Sequence, residues 1–275
     1  MESIKNKIVF ITGASSGIGK ACAESFAKEG TKLILTARRE NILKDLANEL
    51  MQNFKTEILT FSLDVRNKNA VQELVLSLPE NWKNIDILIN NAGLAKGMNK
   101  IYEDDIDNWE DMIDTNVKGL LYTTRAIVPG MVERKSGHII NIGSTAGHEA
   151  YPKGHVYCAT KHAVNAITKS LRMDVVDKNI RVSTVDPGAV ETNFSNVRFF
   201  GDKEKAKNVY KGLTPLTGKD VADAVLFCAT RPPHANIAEI ILMPTQQASA
   251  LVFHRTEWLS IKPSWILFLT DESSE

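Results

Sequence analysis

A tyrosine and a lysine lie four residues apart, Tyr157 and Lys161, in a stretch with a helical pattern, and Ser144 precedes the tyrosine by thirteen residues. Side chains spaced by four share one face of a helix. An ammonium group beside a phenol favours the phenolate and lowers the pKa of the phenol below its usual value of about 10. We therefore expect Tyr157 to exchange a proton near neutral pH while a hydride moves elsewhere in the site.

A glycine-rich turn near the N-terminus follows a strand-like segment and precedes a helical one. The turn reads Thr12-Gly13-Ala14-Ser15-Ser16-Gly17-Ile18-Gly19. Gly13 permits a tight turn, while Gly17 and Gly19 let the backbone approach a pyrophosphate at the helix N-terminus. This context predicts a dinucleotide site, with contacts from Gly13, Ser15, Ser16, Gly17, Ile18 and Gly19.

Two arginines, Arg38 and Arg39, follow the second expected strand, where an acidic residue would accept a hydrogen bond from the ribose 2′-OH of NAD. A guanidinium group instead suits a 2′-phosphate, because its planar fork pairs with phosphate oxygens. The alternative is that both arginines are solvated at the start of a helix, where cations are unfavourable without an anion. The sequence therefore favours NADP(H) over NAD(H).

Small and polar residues also end the third and fourth expected strands, in Leu63-Asp64-Val65 and Asn90-Asn91-Ala92-Gly93. A carboxylate after the third strand can meet an adenine amino group, and the second run offers backbone donors beside the cofactor. These residue types are also common turn formers. We assign to the cofactor site Asp64, Val65, Asn91, Ala92 and Gly93.

Strand-like and helix-like segments alternate along the chain. The expected strands are 7–12, 32–36, 57–62, 85–89, 138–142, 181–186 and 239–243, and the expected helices are 17–29, 40–52, 67–77, 107–133, 155–177 and 219–229. Several strands are nearly continuous apolar runs, which is typical of strands covered on both faces. The alternation predicts an α/β fold in one domain, with a parallel sheet, right-handed crossovers and helices on both sides.

Composition argues against several other classes of protein. The 275 residues include 33 Lys plus Arg and 33 Asp plus Glu, so the balanced charge gives no reason to expect nucleic acid or an anionic membrane as partner. The three cysteines are scattered, which speaks against a disulfide framework or a metal site and fits a reducing cytoplasm. We expect neither a signal peptide nor a membrane span.

Two segments interrupt the alternation. Residues 190–212 mix aromatic and charged residues after a strand, where a long connection often forms a substrate lid, although a solvated loop with a short helix is the alternative. Residues 251–275 contain two of the four tryptophans. This extension could pack on a neighbouring subunit, bind another partner or be an imperfectly ordered tail. We therefore expect one domain over 1–250 and a C-terminal extension over 251–275.

Taken together, these residues resemble the pattern of the short-chain dehydrogenases/reductases. The matching residues are Thr12-Gly13-x3-Gly17-x-Gly19, Asn90-Asn91-Ala92-Gly93, Asn116, Ser144, Tyr157-x3-Lys161 and Pro187-Gly188, within about residues 5–250. The resemblance implies a Rossmann-type doubly wound sheet of seven strands. It also implies a small-molecule substrate and a homotetramer or homodimer.

The resemblance further implies a role for each matching residue. Tyr157 would be the catalytic acid or base, and Ser144 would hold the substrate oxygen. Lys161 would bind the nicotinamide ribose, and Asn116 would anchor a water in a proton relay. Thr192 would contact the carboxamide, and the cofactor site would be completed by Pro187, Gly188 and Val190.

A second set of motifs is similar to NADP-dependent 3-hydroxy acid dehydrogenases. It comprises Ala37-Arg38-Arg39, Tyr151-Pro152, Val190-Glu191-Thr192, Phe194-Ser195-x-Val197-Arg198, Lys207-Asn208-Val209-Tyr210 and residues 244–249. This similarity implies oxidation of a small hydroxy acid such as serine or allo-threonine. The carboxylate of such a substrate needs a cation, for which we expect Arg198, with Lys203 as the alternative.

Two other functions stay open at this point. The catalytic residues also fit a reductase of another carbonyl, such as a 3-oxoacyl thioester, a diketone, a steroid or a pterin. A non-catalytic NADP-binding sensor is the second alternative, although such a protein has no need to keep Asn116, Ser144, Tyr157 and Lys161 together. No metal site is expected, because the spacing of the histidines, including His148, matches no metal motif.

Overall fold

A computed structural model describes residues 2–256 of the chain. Seven strands are present: β1 (Ile8–Thr12), β2 (Lys32–Ala37), β3 (Ile58–Ser62), β4 (Ile87–Asn90), β5 (Gly137–Ile142), β6 (Ile180–Pro187) and β7 (Glu239–Leu242). They form one sheet in the order β3-β2-β1-β4-β5-β6-β7, and each neighbouring pair is parallel. The expected α/β fold with a doubly wound parallel sheet is confirmed, and the strand ends differ from expectation by at most two residues.

The helices lie between the strands. They are α1 (Gly17–Lys28), α2 (Glu40–Phe54), α3 (Lys68–Ser77), α4 (Ile106–Ile113), α5 (Leu120–Arg134), α6 (His155–Asp174), α7 (Phe194–Arg198), α8 (Lys203–Asn208) and α9 (Gly218–Ala229). Two hydrophobic clusters cover the two sheet faces. One contains Val9, Ile11 and residues of α1, α2 and α9, and the other contains Phe10, Leu88 and residues of α3 and α5. Alternate residues of β1 are thus buried on opposite faces, as expected for a sheet between two helical layers.

The single helix expected over 107–133 is wrong in one respect. A π-helical turn, Asp114–Gly119, separates α4 from α5. Gly119 lies against β3's continuation, since a Cβ on it would stand 2.6 Å from Cγ2 of Val65. The widened turn therefore packs against the loop after β3, and it carries Asn116.

The segment expected as a lid contains α7 and α8 and follows β6. The first residues of the expected C-terminal extension fold back toward it: Gln247 pairs with Phe253, and the Thr256 N–H donates to the Gly212 carbonyl at 3.0 Å. The remainder of the extension, 257–275, lies outside the described residues. Among residues 2–256, no helix combines the length and hydropathy needed to cross a membrane.

Candidate active site

A cavity of about 720 Å³ opens along the carboxyl ends of β1 to β6. Nearly all of the expected site residues line it. They are Gly13, Ser15, Ser16, Gly17, Ile18, Arg38, Arg39, Asp64, Val65, Asn91, Ala92, Gly93, Ser144, Tyr157, Lys161, Pro187, Gly188, Val190, Thr192 and Arg198. The exceptions are Gly19 and Asn116, and the alternative cation Lys203 is also absent from the wall. The fold thus gathers residues from most of the chain because parallel strands present their carboxyl ends at one edge.

The glycine turn after β1 is shaped by close backbone contacts. Gly13 and Gly17 have φ of +67° and +57°, which side chains rarely tolerate. A Cβ on Gly19 would stand 2.4 Å from both the Gly13 carbonyl oxygen and Nδ2 of Asn91. Gly19 therefore lets α1 pack against the turn, and it lies behind the cavity wall that we expected it to form.

Asn91 fixes the end of β4 to this turn. Its Nδ2 donates to the carbonyls of Thr12 and Gly13 at 2.9 and 3.1 Å, and its backbone N–H donates to the Thr12 hydroxyl at 3.0 Å. At the start of α1, the Ser16 side chain makes no capping hydrogen bond. Because the first N–H groups of a helix have no intrahelical partner, this end can bind an anion that enters the cavity.

Positive charge is concentrated where β2 ends. Nη2 of Arg39 donates to the hydroxyls of Ser15 and Ser16, each at 2.9 Å, so the guanidinium lies beside the glycine turn. Arg38 is exposed on the same wall. Across from them, Asp64 is paired with Arg66 at 2.6 Å, and this hydrogen bond lowers the pKa of the carboxyl. The end of the cavity is therefore suited to a phosphate beside an adenosine.

The environment of Tyr157 contradicts our expectation for its acidity. The pKa of Tyr157 is raised, because its hydroxyl is removed from solvent and Tyr151 adds to the effect, although a hydrogen bond from Ser144 and the charge of Arg198 oppose it. Nζ of Lys161 donates to the Ile142 carbonyl at 2.9 Å and lies 6.0 Å from the centre of the Tyr157 ring. The ammonium is hydrogen-bonded to this backbone carbonyl and not to the phenol, so desolvation of the phenol outweighs its attraction.

Burial also changes the pKa of Lys161. Only 7% of the residue is exposed, and burial lowers its pKa to about 8, with Asp186 acting in the opposite direction. A group with this pKa exchanges its charge close to neutral pH. The lysine is thus a sensitive part of the site, and polar ligand atoms placed near it would change its protonation.

Ser144 lines the cavity, whereas Asn116 does not. Ser144 follows the end of β5 by two residues and caps a 3₁₀ turn, Thr145–Gly147, in which its Oγ accepts from the Ala146 N–H at 3.1 Å. Asn116 is buried behind Gly93: its amide exchanges hydrogen bonds of 2.8 Å with the backbone of Leu94 and donates to the Thr160 hydroxyl at 3.0 Å. Asn116 therefore fixes the loop after β4 and does not reach the cavity.

Arg198 reaches the same centre from α7. Its Nη1 donates to the Tyr151 hydroxyl at 3.1 Å, and its Nε donates to the Gly97 carbonyl at 3.2 Å. The guanidinium carbon lies 5.7 Å from the ring centres of both Tyr151 and Tyr157. The cation expected to bind a substrate carboxylate is thus beside the expected catalytic hydroxyl.

Sequence reasoning missed several residues of the wall, namely Tyr151, Phe194, Tyr210, Gln247, Phe253 and Arg255. Four of them, Tyr151, Phe194, Tyr210 and Gln247, belong to the motifs quoted above, and that membership is the available signal. Arg255 had none, because it enters through the chain reversal after Gln247 and donates to the carbonyls of Val209 and Lys211. These contacts tie the end of the described chain to the segment after α8.

Known proteins resemble this chain over most of its length. A family model described as short chain dehydrogenase matches residues 7–200. An NADP-dependent 3-hydroxy acid dehydrogenase of Salmonella typhi is 48% identical over 251 residues, which are 90% of this chain and 100% of the relative. A protein of the same name from Schizosaccharomyces pombe is 44% identical over 258 residues, or 94% and 100% of the two chains. A solved structure of the closed form of serine dehydrogenase complexed with NADP⁺ superimposes with a TM-score of 0.84 at 48% identity, covering 90% of this chain and 100% of that one.

Proposed function

The chain belongs to the short chain dehydrogenase family, and we propose that it is an NADP(H)-dependent oxidoreductase acting on small 3-hydroxy acids or β-hydroxy amino acids such as serine or allo-threonine. One observation carries the proposal. A single cavity contains paired arginines at one end, and at the other end the Ser144–Tyr157 pair with Arg198 against the tyrosine ring. The named relatives, which are NADP-dependent 3-hydroxy acid dehydrogenases, support the same reading.

The residues of the cavity fit NADP(H). Arg38 and Arg39 would pair with the 2′-phosphate, the N-terminus of α1 would bind the pyrophosphate, and Asp64 would meet the adenine. A Cβ added to Gly13 or Gly17 would stand only 3.0 or 3.2 Å from its nearest neighbouring atom. The absence of a side chain at these two positions therefore leaves space beside the turn. Near the nicotinamide end we place the loop after β4 and the residues Pro187, Gly188, Val190 and Thr192.

When bound, the nicotinamide supplies the hydride acceptor or donor of the reaction. Tyr157 would take the proton of the substrate hydroxyl in the oxidative direction and return it in the reductive one. Ser144 would donate a hydrogen bond to the substrate oxygen as negative charge develops there. Lys161 would bind the ribose hydroxyls. If its Nζ leaves the Ile142 carbonyl to do so, its positive charge would favour the phenolate form of Tyr157.

The substrate class follows from the surroundings of the phenol. In a 3-hydroxy acid, the carboxylate stands two carbons from the reacting carbon, so it would reach a guanidinium beside the catalytic ring. Arg198 is held in that place by Tyr151 and by the Gly97 carbonyl. Its three remaining N–H groups, one on Nη1 and two on Nη2, suit a planar carboxylate.

We further propose that residues 190–212 act as a lid over this end of the cavity. The segment contributes Phe194, Arg198 and Tyr210 to the wall, and Tyr210 holds it to the end of β6 by donating to the Val190 carbonyl at 2.7 Å.

We also propose, from the family resemblance, that the protein is a homotetramer or homodimer in the cytoplasm. The three cysteines are all buried and unpaired, in keeping with a reducing compartment. Light scattering of the purified protein would measure the number of subunits.

The experiment that tests the activity follows NADP⁺ reduction over a panel of serine, allo-threonine, 3-hydroxybutyrate and uncharged alcohols. We expect turnover of the acids and a fall in kcat of about 10²–10⁴-fold for Tyr157→Phe. NADP⁺ binding, measured by fluorescence, should persist in that variant, and Tyr122→Phe is the matched control outside the cavity. NADP⁺ binding without turnover of any member of the panel by the wild type would instead support a sensor, and preference for the uncharged alcohols would favour another reductase.

A further inference from the structure

A second cluster of polar side chains lies outside the cavity just described. Nε2 of His148 stands 2.7 Å from Oδ2 of Asp186 and 3.8 Å from Oε1 of Glu239. One donor atom from each residue lies within 4.8 Å of the others. The sequence spacing gave no sign of this group, because its members are distant in the chain and only the sheet brings them together.

The elements that carry the cluster are well fixed. Asp186 and Glu239 belong to the neighbouring strands β6 and β7, where Glu239 pairs in register with Thr184. His148 immediately follows the 3₁₀ turn that begins at Ser144. Donor atoms on two hydrogen-bonded strands and one adjoining turn are held without a large loss of conformational freedom, which favours ligand binding.

The charges of the cluster call for a cation. The Asp186 side chain has no exposed surface, and its nearest partners are the Thr184 hydroxyl and His148. The described charged groups that influence this carboxyl are thus a second carboxylate, a titratable imidazole and, on the cavity side, Lys161. A bound cation would neutralise both carboxylates at once.

Asn165 provides an independent observation. It is 5% exposed, and its Nδ2 donates to the Gly147 carbonyl at 3.1 Å and lies 3.3 Å from Nε2 of His148. Its Oδ1 has no hydrogen-bond partner within residues 2–256. This oxygen and Oδ1 of Asp186 both approach Gly143, at 3.3 and 1.8 Å from the position of a Cβ there. A buried acceptor beside the cluster is suited to a water bound to a metal ion.

We propose that His148, Asp186 and Glu239 bind a divalent first-row transition metal of the Zn²⁺ class. One imidazole nitrogen and two carboxylate oxygens are donors that such ions accept. Tetrahedral bonds of about 2.0–2.2 Å place donors roughly 3.3–3.6 Å apart. The observed separations of 2.7 and 3.8 Å lie on either side of that range. The His148 and Glu239 side chains are 28% and 33% exposed, so an ion can enter the cluster from solvent.

The test measures Zn²⁺ binding to the full chain after treatment with a chelator, by calorimetry and by the visible spectrum of Co²⁺ as a substitute. The variants are His148→Gln and Glu239→Gln, both at partly exposed positions. Controls are His162→Gln and Glu73→Gln, which remove an exposed imidazole and an exposed carboxylate outside the cluster. Thermal melting in chelator confirms that each variant is folded.

We expect one Zn²⁺ per chain in wild type and in both controls. Either cluster variant should weaken the affinity by at least about tenfold, since even residues that only support a ligand contribute that much. Zn²⁺ should also raise the melting temperature of wild type more than that of the cluster variants. The proposal is overturned if no saturable binding occurs at one ion per chain, or if both cluster variants bind as tightly as wild type.

Discussion

The paired arginines after β2 give the sharpest prediction, for the variant Arg38→Ala/Arg39→Ala. Both residues are exposed on the cavity wall, and Arg39 is anchored by the hydroxyls of Ser15 and Ser16. Removing both guanidiniums should weaken binding of NADP⁺ and leave binding of NAD⁺ unchanged, because only the former carries a 2′-phosphate.

The expected loss of NADP⁺ affinity depends on how exposed the two arginines are. A hydrogen bond to a charged group contributes about 1.5–3 kcal/mol, but an exposed ion pair contributes only about 0–1 kcal/mol. Partly exposed arginines should therefore contribute about 1–2 kcal/mol each. The single variant Arg39→Ala should lose roughly 5- to 30-fold in affinity for NADP⁺. The double variant should lose about 2–4 kcal/mol, or roughly 30- to 700-fold.

The assay compares KM and the dissociation constant for NADP⁺ and NAD⁺ in wild type, the double variant and Arg125→Ala, an exposed arginine outside the cavity. Folding should be intact, because Arg39 stands at the N-terminus of α2, where a cation is unfavourable by about 0.3–1 kcal/mol. If the double variant binds NADP⁺ within about twofold of wild type, or loses NAD⁺ affinity equally, the placement of the 2′-phosphate is wrong.

Other predictions concern single residues. Tyr157 should ionise above pH 10 in the nucleotide-free protein; a phenolate signal below pH 9 that disappears in Tyr157→Phe would contradict the burial argument. Arg198→Ala should raise KM for 3-hydroxy acids by about 10- to 100-fold, with uncharged alcohols unaffected, and equal effects on both would exclude a carboxylate contact. Gly19→Ala should lower the free energy of unfolding by about 1–3 kcal/mol in urea titrations, since its Cβ meets backbone at 2.4 Å; no loss would show that the turn yields. Burial lowers the pKa of Lys161 to about 8 in the folded protein, whereas its value in the unfolded chain is 10.5. Between pH 8 and 10.5 the unfolded chain therefore binds more protons than the folded protein. The stability contribution of Lys161 should therefore rise with pH across that window, and Lys161→Met should abolish the rise; parallel stability curves for the two proteins would refute it.

Local sequence patterns predicted the elements well where their cause is local. Continuous apolar runs identified the strands within two residues, and the glycine turn before α1 was placed by its strand and helix neighbours. The helix over 107–133 was read as continuous because its apolar pattern continues through 114–119. The π turn there places Gly119 against Val65, a contact between distant parts of the chain that a local pattern does not record.

The fold gathers most of the expected site residues around one cavity, but the electrostatics of Tyr157 differ from expectation. The spacing of Tyr157 and Lys161 correctly placed both on α6, and from spacing alone an attraction between ammonium and phenol was inferred. The tertiary structure removes both groups from water and directs Nζ of Lys161 to the Ile142 carbonyl. Desolvation depends on every neighbour within a few ångströms, and no motif records those neighbours.

By itself, then, the sequence determined the alternating elements, the parallel sheet, the nucleotide turn and the residue types of the reaction, because each is expressed over a few neighbouring positions. Only the tertiary structure decided that Gly19 and Asn116 support the wall from behind, that Arg255 joins it, and that His148 meets Asp186 and Glu239. The physical reason is that burial and contact across the sheet depend on where distant segments lie in space. Residue type and spacing along the chain carry no measure of that distance.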